Sequence, residues 1–231
     1  MESPLNPHEE QWTVSGPIRP VAPEERIQEL ELNAHATVAD AAPLGLAAFA
    51  ATTFTLGSAL AGWQGIVSPG GVPGVAGFVA AIPLLIIFGG IAQFIAAMWA
   101  FRKGSTFWAT FLGVFGSLYA TLGLSILLAG ATGIPVGATT SDVATGVGVA
   151  MFAFIAGYLT WAAMGESSVM VWVAGFLTAS LALLSAGFFI GGNFLIFWAS
   201  GYAAIASALG AFYASAAIVI NSTMQREVLP Y

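Results

Sequence analysis

Residues 167–225 read "SSVMVWVAGFLTASLALLSAGFFIGGNFLIFWASGYAAIASALGAFYASAAIVINSTMQ" and contain no Asp, Glu, Lys, Arg or His. Uncharged apolar tracts of about 20 residues or more are typical of transmembrane helices. The tract is long enough for two of them, and "GGN" at Gly191–Asn193 divides it. We therefore predict membrane spans over about 168–190 and 193–219, which the short turn makes antiparallel.

The rest of the chain repeats this pattern. The sequence is 58% hydrophobic and 7% charged, whereas soluble domains carry roughly 25% charged residues. Charged residues and His are also missing from 41–101, 104–141 and 143–165. The sequence thus predicts an all-α integral membrane protein with a bundle of six transmembrane helices in each protomer. The first four predicted spans are about 42–62, 75–101, 106–130 and 143–164.

The predicted organisation has three parts. Residues 1–39 form an acidic, mostly disordered N-terminal tail, 40–220 the transmembrane domain, and 221–231 a short C-terminal tail. Within the first tail, "PEERIQELEL" from Pro23 fits a short helix, although a solvated tail is the simpler interpretation. The tail lacks the basic and apolar regions of a signal peptide.

The basic residues predict the orientation of the bundle. Arg19 and Arg26 precede the first span, Arg102 and Lys103 separate the second from the third, and Arg226 follows the sixth. With six spans all five fall on one side, which the positive-inside rule makes cytoplasmic. We expect both termini in the cytoplasm of a multi-pass protein of the inner (plasma) membrane. The net charge of −6 argues against a nucleic-acid partner.

The residues missing from the spans exclude several functions. The chain has no Cys, and no predicted span contains Lys or His, which excludes a retinal Schiff base and disfavours haem ligation. No acid–base pair is available for catalysis inside the membrane, so we predict neither an enzyme nor a cofactor or metal site. A conduit for a small solute needs none of these groups.

Gln93 is the strongest polar signal among the spans. Its amide cannot satisfy itself within one helix, and exposing it to lipid is costly. Two roles remain open: it lines a polar path, or it bridges two helices. Gly89 and Gly90, one turn earlier, are expected to loosen the second span. The hydroxyls of Thr and Ser often bond back to their own helix, so many of them have a structural explanation.

The start of the first span also has two interpretations. Asp40 is a plausible N-cap and Pro43 suits a first helical turn. Free N–H groups at such a start favour an anion, but the same residues are equally explained as a simple helix start. Small residues recur at every fourth position of the sixth span, which fits either helix packing or a subunit interface or pore lining. They are Ala199, Ala203, Ser207, Ala211 and Ser215.

Three motifs resemble one known family. "AAPLGLAAFAATT", from Ala41, is similar to the signature NPAPLGL with its downstream Phe and Thr-Thr. "FGGIAQFIAAMWAFRKGSTFWATFLGVFGSLY", from Phe88, matches the family's Gly-Gly-x-x-Gln, basic pair and Gly-x-Thr-Phe. "NSTMQREVLP", from Asn221, resembles its ending. The chain from about Asp40 to Pro230 therefore resembles the acetate uptake transporter family, also called the succinate–acetate permease family.

The resemblance implies a six-helix protomer, typically assembled as a hexamer, that transports acetate, succinate or other short carboxylic acids. It also implies a narrow hydrophobic gate formed by Phe49, Phe115 and Leu177. Phe115 stands where the family usually has Tyr, while Asp40 and Ala41 replace Asn-Pro. The predicted entry and substrate-binding residues, which combine the signature with the polar side chains, are Asp40, Pro43, Leu44, Gly45, Leu46, Thr52, Thr53, Gln93, Ser117, Tyr119 and Asn193.

Elementary electrostatics predicts how an acid would pass such a gate. An isolated carboxylate in a low dielectric costs on the order of tens of kcal/mol, so we expect the acid to cross protonated, or as an anion held briefly by hydroxyls and helix N-termini. No titratable acid or base lies in the spans, which favours a proton carried with the substrate. A sensor or accessory protein on the same fold remains the alternative to a transporter.

Overall fold

The computed structural model describes residues 39–63, 81–132, 142–191 and 193–231, together with Glu24 and 26–28, whose backbone is helical. The chain divides into two compact units, Met1–Ala39 and Asp40–Tyr231, and the second unit contains the helical bundle. Most of the predicted N-terminal tail, including most of the segment from Pro23, lies outside the described residues.

Six helices of the described residues are long and apolar enough to cross a membrane, which confirms the predicted spans. The second begins at Leu84, later than the predicted 75, and 75–80 lie outside the described residues. The sixth continues beyond 219, because the uncharged polar residues after this position extend the helix. The helices are α1 (Ala42–Leu60), α2 (Leu84–Arg102), α3 (Thr106–Thr132), α4 (Asp142–Ala163), α5 (Ser168–Phe189) and α6 (Phe194–Met224).

The helices form a closed ring in chain order. Each helix packs against the helices before and after it, and α6 returns to pack against α1. The contact between α3 and α4 is the thinnest of the ring, and α1 also reaches α3 across the interior. Among the described residues, buried side chains from α1, α3 and α5 belong to one contiguous cluster inside this ring.

The two ends of the ring carry different residues. The Asp40 end holds the start of α1, the turn at Lys103 between α2 and α3, the turn at Glu166 between α4 and α5, and the end of α6. The opposite end, called the Asn193 end, holds the turn between α5 and α6. The positive-inside prediction makes the Asp40 end cytoplasmic.

Serine side chains join α5 to α6. The Ser180 hydroxyl donates to the Ser200 carbonyl at 2.9 Å, and the Ser200 hydroxyl donates to the Ser180 carbonyl at 3.0 Å. Ser207 donates to the carbonyl of Val173 at 2.7 Å. Lipid supplies no hydrophobic driving force between helices, so such polar bonds and close packing take its place.

The small-residue positions of α6 serve mainly this packing. Ser207, Ala211 and Ser215 are buried within the bundle, whereas Ala199 is exposed. Of the two roles left open for this stripe, helix packing within one chain accounts for the buried members.

The ring closes between α1 and α6 at a pair of glycines. A Cβ atom on Gly57 would lie 2.9 Å from the Gly201 carbonyl oxygen, and one on Gly201 would lie 2.7 Å from the Gly57 oxygen and against the backbone nitrogen of Ala61. Two backbones approach this closely only where neither residue has a side chain.

The first half of α2 is a π-helix. Leu84–Ala92 has π-helical backbone, and an ordinary α-helix continues over Gln93–Arg102. The segment includes Gly89 and Gly90, which the sequence predicted would loosen this span. Such wide helical turns are uncommon and concentrate at functional sites.

We predict that Gly201→Ala destabilises the bundle, because the new methyl meets backbone atoms that cannot move aside. Overpacking of this kind costs about 1–3 kcal/mol. The measurement is thermal unfolding of the purified protein in detergent. Gly148→Ala is the matched control, since a Cβ atom there would meet nothing within 4 Å. Equal melting temperatures for the two variants would contradict the close approach of α1 and α6.

Candidate functional site

Four aromatic rings fill the centre of the ring of helices. The centroid of Phe49 on α1 lies 5.2 Å from that of Phe111, 6.1 Å from that of Phe115 and 6.1 Å from that of Tyr119, all on α3. None of the four side chains is more than 3% exposed. We call these residues the aromatic cluster.

The helical repeat explains how α3 supplies three of these rings. Phe111, Phe115 and Tyr119 are spaced four residues apart, so they share one face of the helix. Phe107 extends the same row and stacks on Phe111 with a centroid separation of 5.9 Å. Phe49 enters from α1 and meets this row across the interior.

The three predicted gate residues all lie in the interior. Phe49 and Phe115 have no exposed surface, Leu177 on α5 is 3% exposed, and all three belong to one contiguous cluster of buried side chains. Sequence reasoning missed Phe111, which touches both Phe49 and Phe115. The four-residue spacing of aromatic residues along the third span is the signal that would have found it.

A pair of hydroxyl groups borders the aromatic cluster. The hydroxyls of Thr53 and Tyr119 form a hydrogen bond, and both residues are buried. The neighbouring Thr52 is also buried, and its hydroxyl donates to the Ala48 carbonyl at 2.8 Å. Thr53, Tyr119 and Thr52 therefore place polar oxygen atoms beside an otherwise apolar interior.

Gln93 lies in the same region with its hydrogen bonding unmet. The side chain has no exposed surface, and neither Oε1 nor Nε2 has a partner among the described residues. Gly116, next to Phe115, lets α3 approach Gln93 closely. A Cβ atom on Gly116 would lie 3.5 Å from the Cβ atom of Gln93. The sequence left two roles open for this amide, and one of them was to bridge two helices. The described part of the chain contains no such bridging hydrogen bond from Gln93.

Gly89 joins α2 to the hydroxyl groups. A Cβ atom there would lie 2.7 Å from the Thr52 hydroxyl oxygen and 3.0 Å from the Tyr119 Cβ. The absence of a side chain at Gly89 therefore lets α2 contact α1 and α3 at the level of the aromatic cluster. Gln93, about one turn further along α2, is held in the interior by this contact.

Three predicted site residues lie elsewhere. Ser117 is exposed on the outside of the bundle, and its hydroxyl donates to the Gly113 carbonyl at 2.8 Å. Asn193 lies at the opposite end, where its Oδ1 accepts from the Leu195 backbone N–H at 3.0 Å and starts α6. Leu44 is 48% exposed. The structure does not place these three side chains with the aromatic cluster.

Asp40 serves the start of α1. Its Oδ1 accepts from the backbone N–H of Ala42 at 3.0 Å, and its Oδ2 lies 3.7 Å from Lys103 Nζ. The N-cap position itself is held by Ala41, one residue later than predicted. Both contacts fit the simpler of the two interpretations, in which Asp40 starts the helix.

The rest of the signature packs the first turns of α1. Pro43 occupies the first turn, and its carbonyl accepts from Ser215 Oγ at 2.8 Å. Gly45 lies against Leu112 so closely that a Cβ atom would clash with that side chain, and Leu46 is fully buried. These contacts seat α1 on α6 and α3.

A cavity of about 350 Å³ opens at the Asp40 end. We call it the Asp40-end cavity. Trp108 in its wall contacts Phe107 at a centroid distance of 5.4 Å, and Phe107 stacks on Phe111 of the aromatic cluster. A row of aromatic side chains thus leads from the cavity into the interior. The lining residues are Asp40, Ala42, Trp108, Glu166, Ile218, Asn221 and Tyr231.

Tyr231 at this cavity is a neutral group at physiological pH. Partial burial raises the pKa of its phenol to about 12, a hydrogen bond with Ser167 opposes the rise, and the charges of Glu166 and Asp40 add to it. The cavity wall therefore carries two carboxyl side chains and one uncharged hydroxyl. Within the described residues, no group of three or more His, Cys, Asp or Glu side chains could hold a metal ion.

The fold and the interior define a class: a multi-pass membrane protein whose six apolar spans surround an aromatic-lined centre. A family model described as the GPR1/FUN34/yaaH family matches residues 25–230. The chain belongs to this family, which confirms the resemblance identified from its motifs.

Individual relatives agree with this assignment. An uncharacterized protein of Methanothermobacter thermautotrophicus is 31% identical over 88% of this chain and 96% of its own length. The succinate-acetate/proton symporter SatP of Escherichia coli is 29% identical over 84% of this chain and 95% of its own. The structure of the bacterial acetate channel SatP matches with a TM-score of 0.72 and 27% identity, over 84% of this chain and 99% of that one. These matches support the predicted location of this chain in the plasma membrane.

We predict that Gln93→Met raises the stability of the bundle. Burying an amide without a hydrogen-bond partner costs roughly 1–3 kcal/mol, and Met has a similar length without the polar atoms. The measurement is thermal unfolding in detergent without substrate, with Gln93→Leu as a second variant. A lower melting temperature for both variants would mean that the amide does bind a partner in the folded protein.

Proposed function

We propose that this protein transports acetate and related short carboxylic acids through the centre of its ring of helices. One observation carries the proposal: a fully buried, unpartnered Gln93 amide lies beside an aromatic cluster that closes the interior. An apolar constriction beside a buried amide that has no partner among the described residues suits a small solute with one polar end. The names of the two SatP relatives support the choice of acetate.

Phe49, Phe115 and Leu177 form the gate in this proposal. They come from α1, α3 and α5, so together they approach the ring axis from three sides. Phe111 lengthens the constriction by one helical turn toward the Asp40 end. Phe115 offers no hydroxyl, and the Thr53–Tyr119 pair, one turn along α3, supplies the nearest hydroxyl groups.

Gln93 is proposed as the group that receives the carboxyl end of the substrate. Its Nε2 donates to the carbonyl oxygen and its Oε1 accepts from the hydroxyl of a protonated acid, which satisfies both atoms at once. A carboxylate anion would satisfy only the donor. The amide therefore favours the neutral acid at this point of the path.

Protonation is also the cheaper way through the gate. A carboxyl with a reference pKa of about 4.3 costs roughly 3.7 kcal/mol to protonate at pH 7, far less than an isolated anion in an apolar interior. The proton then crosses with the substrate, which is the proposed form of symport. Succinate would need two protons for the same passage, so we expect it to cross more slowly.

The remaining elements of the proposal concern assembly. The outer faces of the helices contact the lipid bilayer and other copies of the chain, and we propose a homo-oligomer, with the hexamer as its form. The exposed apolar side chains of α4, among them Phe154 and Trp161, fit such an outer surface.

We expect uptake of labelled acetate into proteoliposomes to rise as the external pH falls at constant total acetate. The reason is that the neutral fraction falls about tenfold for each pH unit above the acid's pKa. Liposomes without protein, measured at each pH, are the control for diffusion through lipid. Uptake that does not change with pH would contradict passage as the neutral acid, and no protein-dependent uptake at any pH would favour a sensor or accessory protein.

We expect Phe49→Ala to admit larger acids, because it removes the ring that touches three other members of the aromatic cluster. Uptake of a panel of acids of increasing size measures the cutoff. Phe154→Ala is the matched control, since Phe154 is 74% exposed on the outer surface. An unchanged cutoff in Phe49→Ala would remove Phe49 from the constriction.

A further inference from the structure

The chain turns back on the bundle after α6. Gln225 has a left-handed backbone conformation, with φ of 52°, and reverses the direction of the chain. Asn221 on the last turns of α6 then holds the residues beyond this reversal. Its Oδ1 accepts from the backbone N–H groups of Val228 at 2.8 Å and Leu229 at 3.0 Å, and its Nδ2 donates to the Leu229 carbonyl at 2.7 Å. We call residues 225–231 the returning segment.

A second anchor fixes the far part of the returning segment. The hydroxyl of Tyr213 donates to the Pro230 carbonyl at 2.6 Å. Tyr213 lies eight residues before Asn221, so both anchors are on similar faces of α6 and the segment runs back along the helix. Except for the half-buried Leu229, the segment is exposed. Its position therefore depends on these two anchors and on the hydrogen bond between Tyr231 and Ser167, rather than on apolar packing.

The returning segment forms part of the Asp40-end cavity. Asn221 and Tyr231 both line this cavity, together with Asp40, Trp108 and Glu166. Tyr231 is the bulky member that the returning segment contributes. The same wall includes Trp108, and the row of aromatic contacts that begins there ends in the aromatic cluster.

We propose that Asn221 is a positioning residue whose hold on the returning segment sets the size of acid admitted at the Asp40 end. The three hydrogen bonds of Asn221 keep Tyr231 in the cavity wall, and Tyr231 narrows the approach to the aromatic cluster. The chain thus has two filters in series: an entrance filter at Tyr231, which limits how readily larger acids enter, and the gate at Phe49 and Phe115, which limits the largest acid that passes. This inference rests on the proposed function.

Site-directed labelling tests the anchor itself. The chain contains no Cys, so a Tyr231→Cys variant carries a single thiol. We expect Asn221→Ala to raise the rate at which a water-soluble maleimide labels this thiol. Ser222→Ala is the matched control, since the Ser222 hydroxyl bonds only the Val219 carbonyl of its own helix, and its labelling rate is expected to stay near that of the parent. Equal labelling in all three backgrounds would overturn the role of Asn221.

Transport tests the consequence. We expect Asn221→Ala and Tyr231→Ala to raise the uptake of larger acids relative to acetate by about tenfold, the change that about 1.4 kcal/mol produces. We expect the KM for the larger acid to fall. The maximal rate is expected to stay unchanged, because the aromatic cluster sets it. Thermal unfolding serves as the check on folding. Unchanged relative uptake in folded variants would overturn the proposal.

A tether provides the rescue. A reducible cross-linker between Asn221→Cys and Val228→Cys replaces the hydrogen bonds of Asn221 with a covalent link and keeps the Tyr231 ring. We expect the tether to restore the original size limit and a reducing agent to abolish it. A tether that forms without restoring the limit would contradict the entrance filter.

The outcomes separate this inference from the proposed function. If the wild-type protein passes acetate but the Asn221 and Tyr231 variants keep the wild-type size limit, the entrance filter is wrong and the proposed function stands. If the wild-type protein passes no short acid, the proposed function is wrong, and so is the entrance filter that rests on it. Phe49→Ala is the comparison variant, because it changes the size limit at the gate without altering the returning segment.

Discussion

The contact of Phe49 with the aromatic row of α3 is the interaction on which the interior depends. A ring of six helices encloses more space than its backbones can fill, and side chains from non-adjacent helices have to meet across it. Phe49 does this from α1, within 6.1 Å of three ring centroids on α3, and Leu177 joins from α5. Aromatic pairs of this kind are favourable beyond the area they bury. The same contact that completes the packing also closes the centre.

The perimeter is held together by different means. Between α5 and α6, serine hydroxyls bond to carbonyls of the neighbouring helix, and between α6 and α1 the helices meet at Gly57 and Gly201. Both devices suit lipid, where apolar side chains gain little by leaving the solvent. These contacts between neighbouring helices are consequently polar or backbone-mediated, whereas the centre is aromatic. That division leaves Gln93 as a buried polar side chain without a hydrogen-bond partner among the described residues.

The sequence predicted the six helices well because the absence of charge is a strong signal. Gly191–Asn193 marked the final turn, and the ends of α3, α4 and α5 coincide with the charged or small residues that flank them. The interior was predicted in part: Phe49, Phe115, Leu177, Thr52, Thr53, Gln93 and Tyr119 are buried. Ser117 was misplaced because a helix with apolar residues all around its surface gives no indication of which face points inward. Phe111 was missed although its four-residue spacing from Phe115 places it on the same face of α3. The role of Asn221 depends on bonds to a segment seven or eight residues away, which no periodicity reveals.

The π-helix of α2 has a consequence for how this chain tolerates change in length. A wide helix turns through a smaller angle per residue than an α-helix, so Leu84–Ala92 sets the rotational phase of the remainder of α2. Whether Gln93 points to the centre or to lipid is decided by the number of residues in those wide turns. An insertion or deletion there would rotate Gln93 around the helix axis, together with the buried Ala96, Ala97 and Ala100, and would leave the interior residues of α1, α3 and α5 unaltered. Indels in this short stretch are therefore a route by which relatives with the same lining residues would diverge.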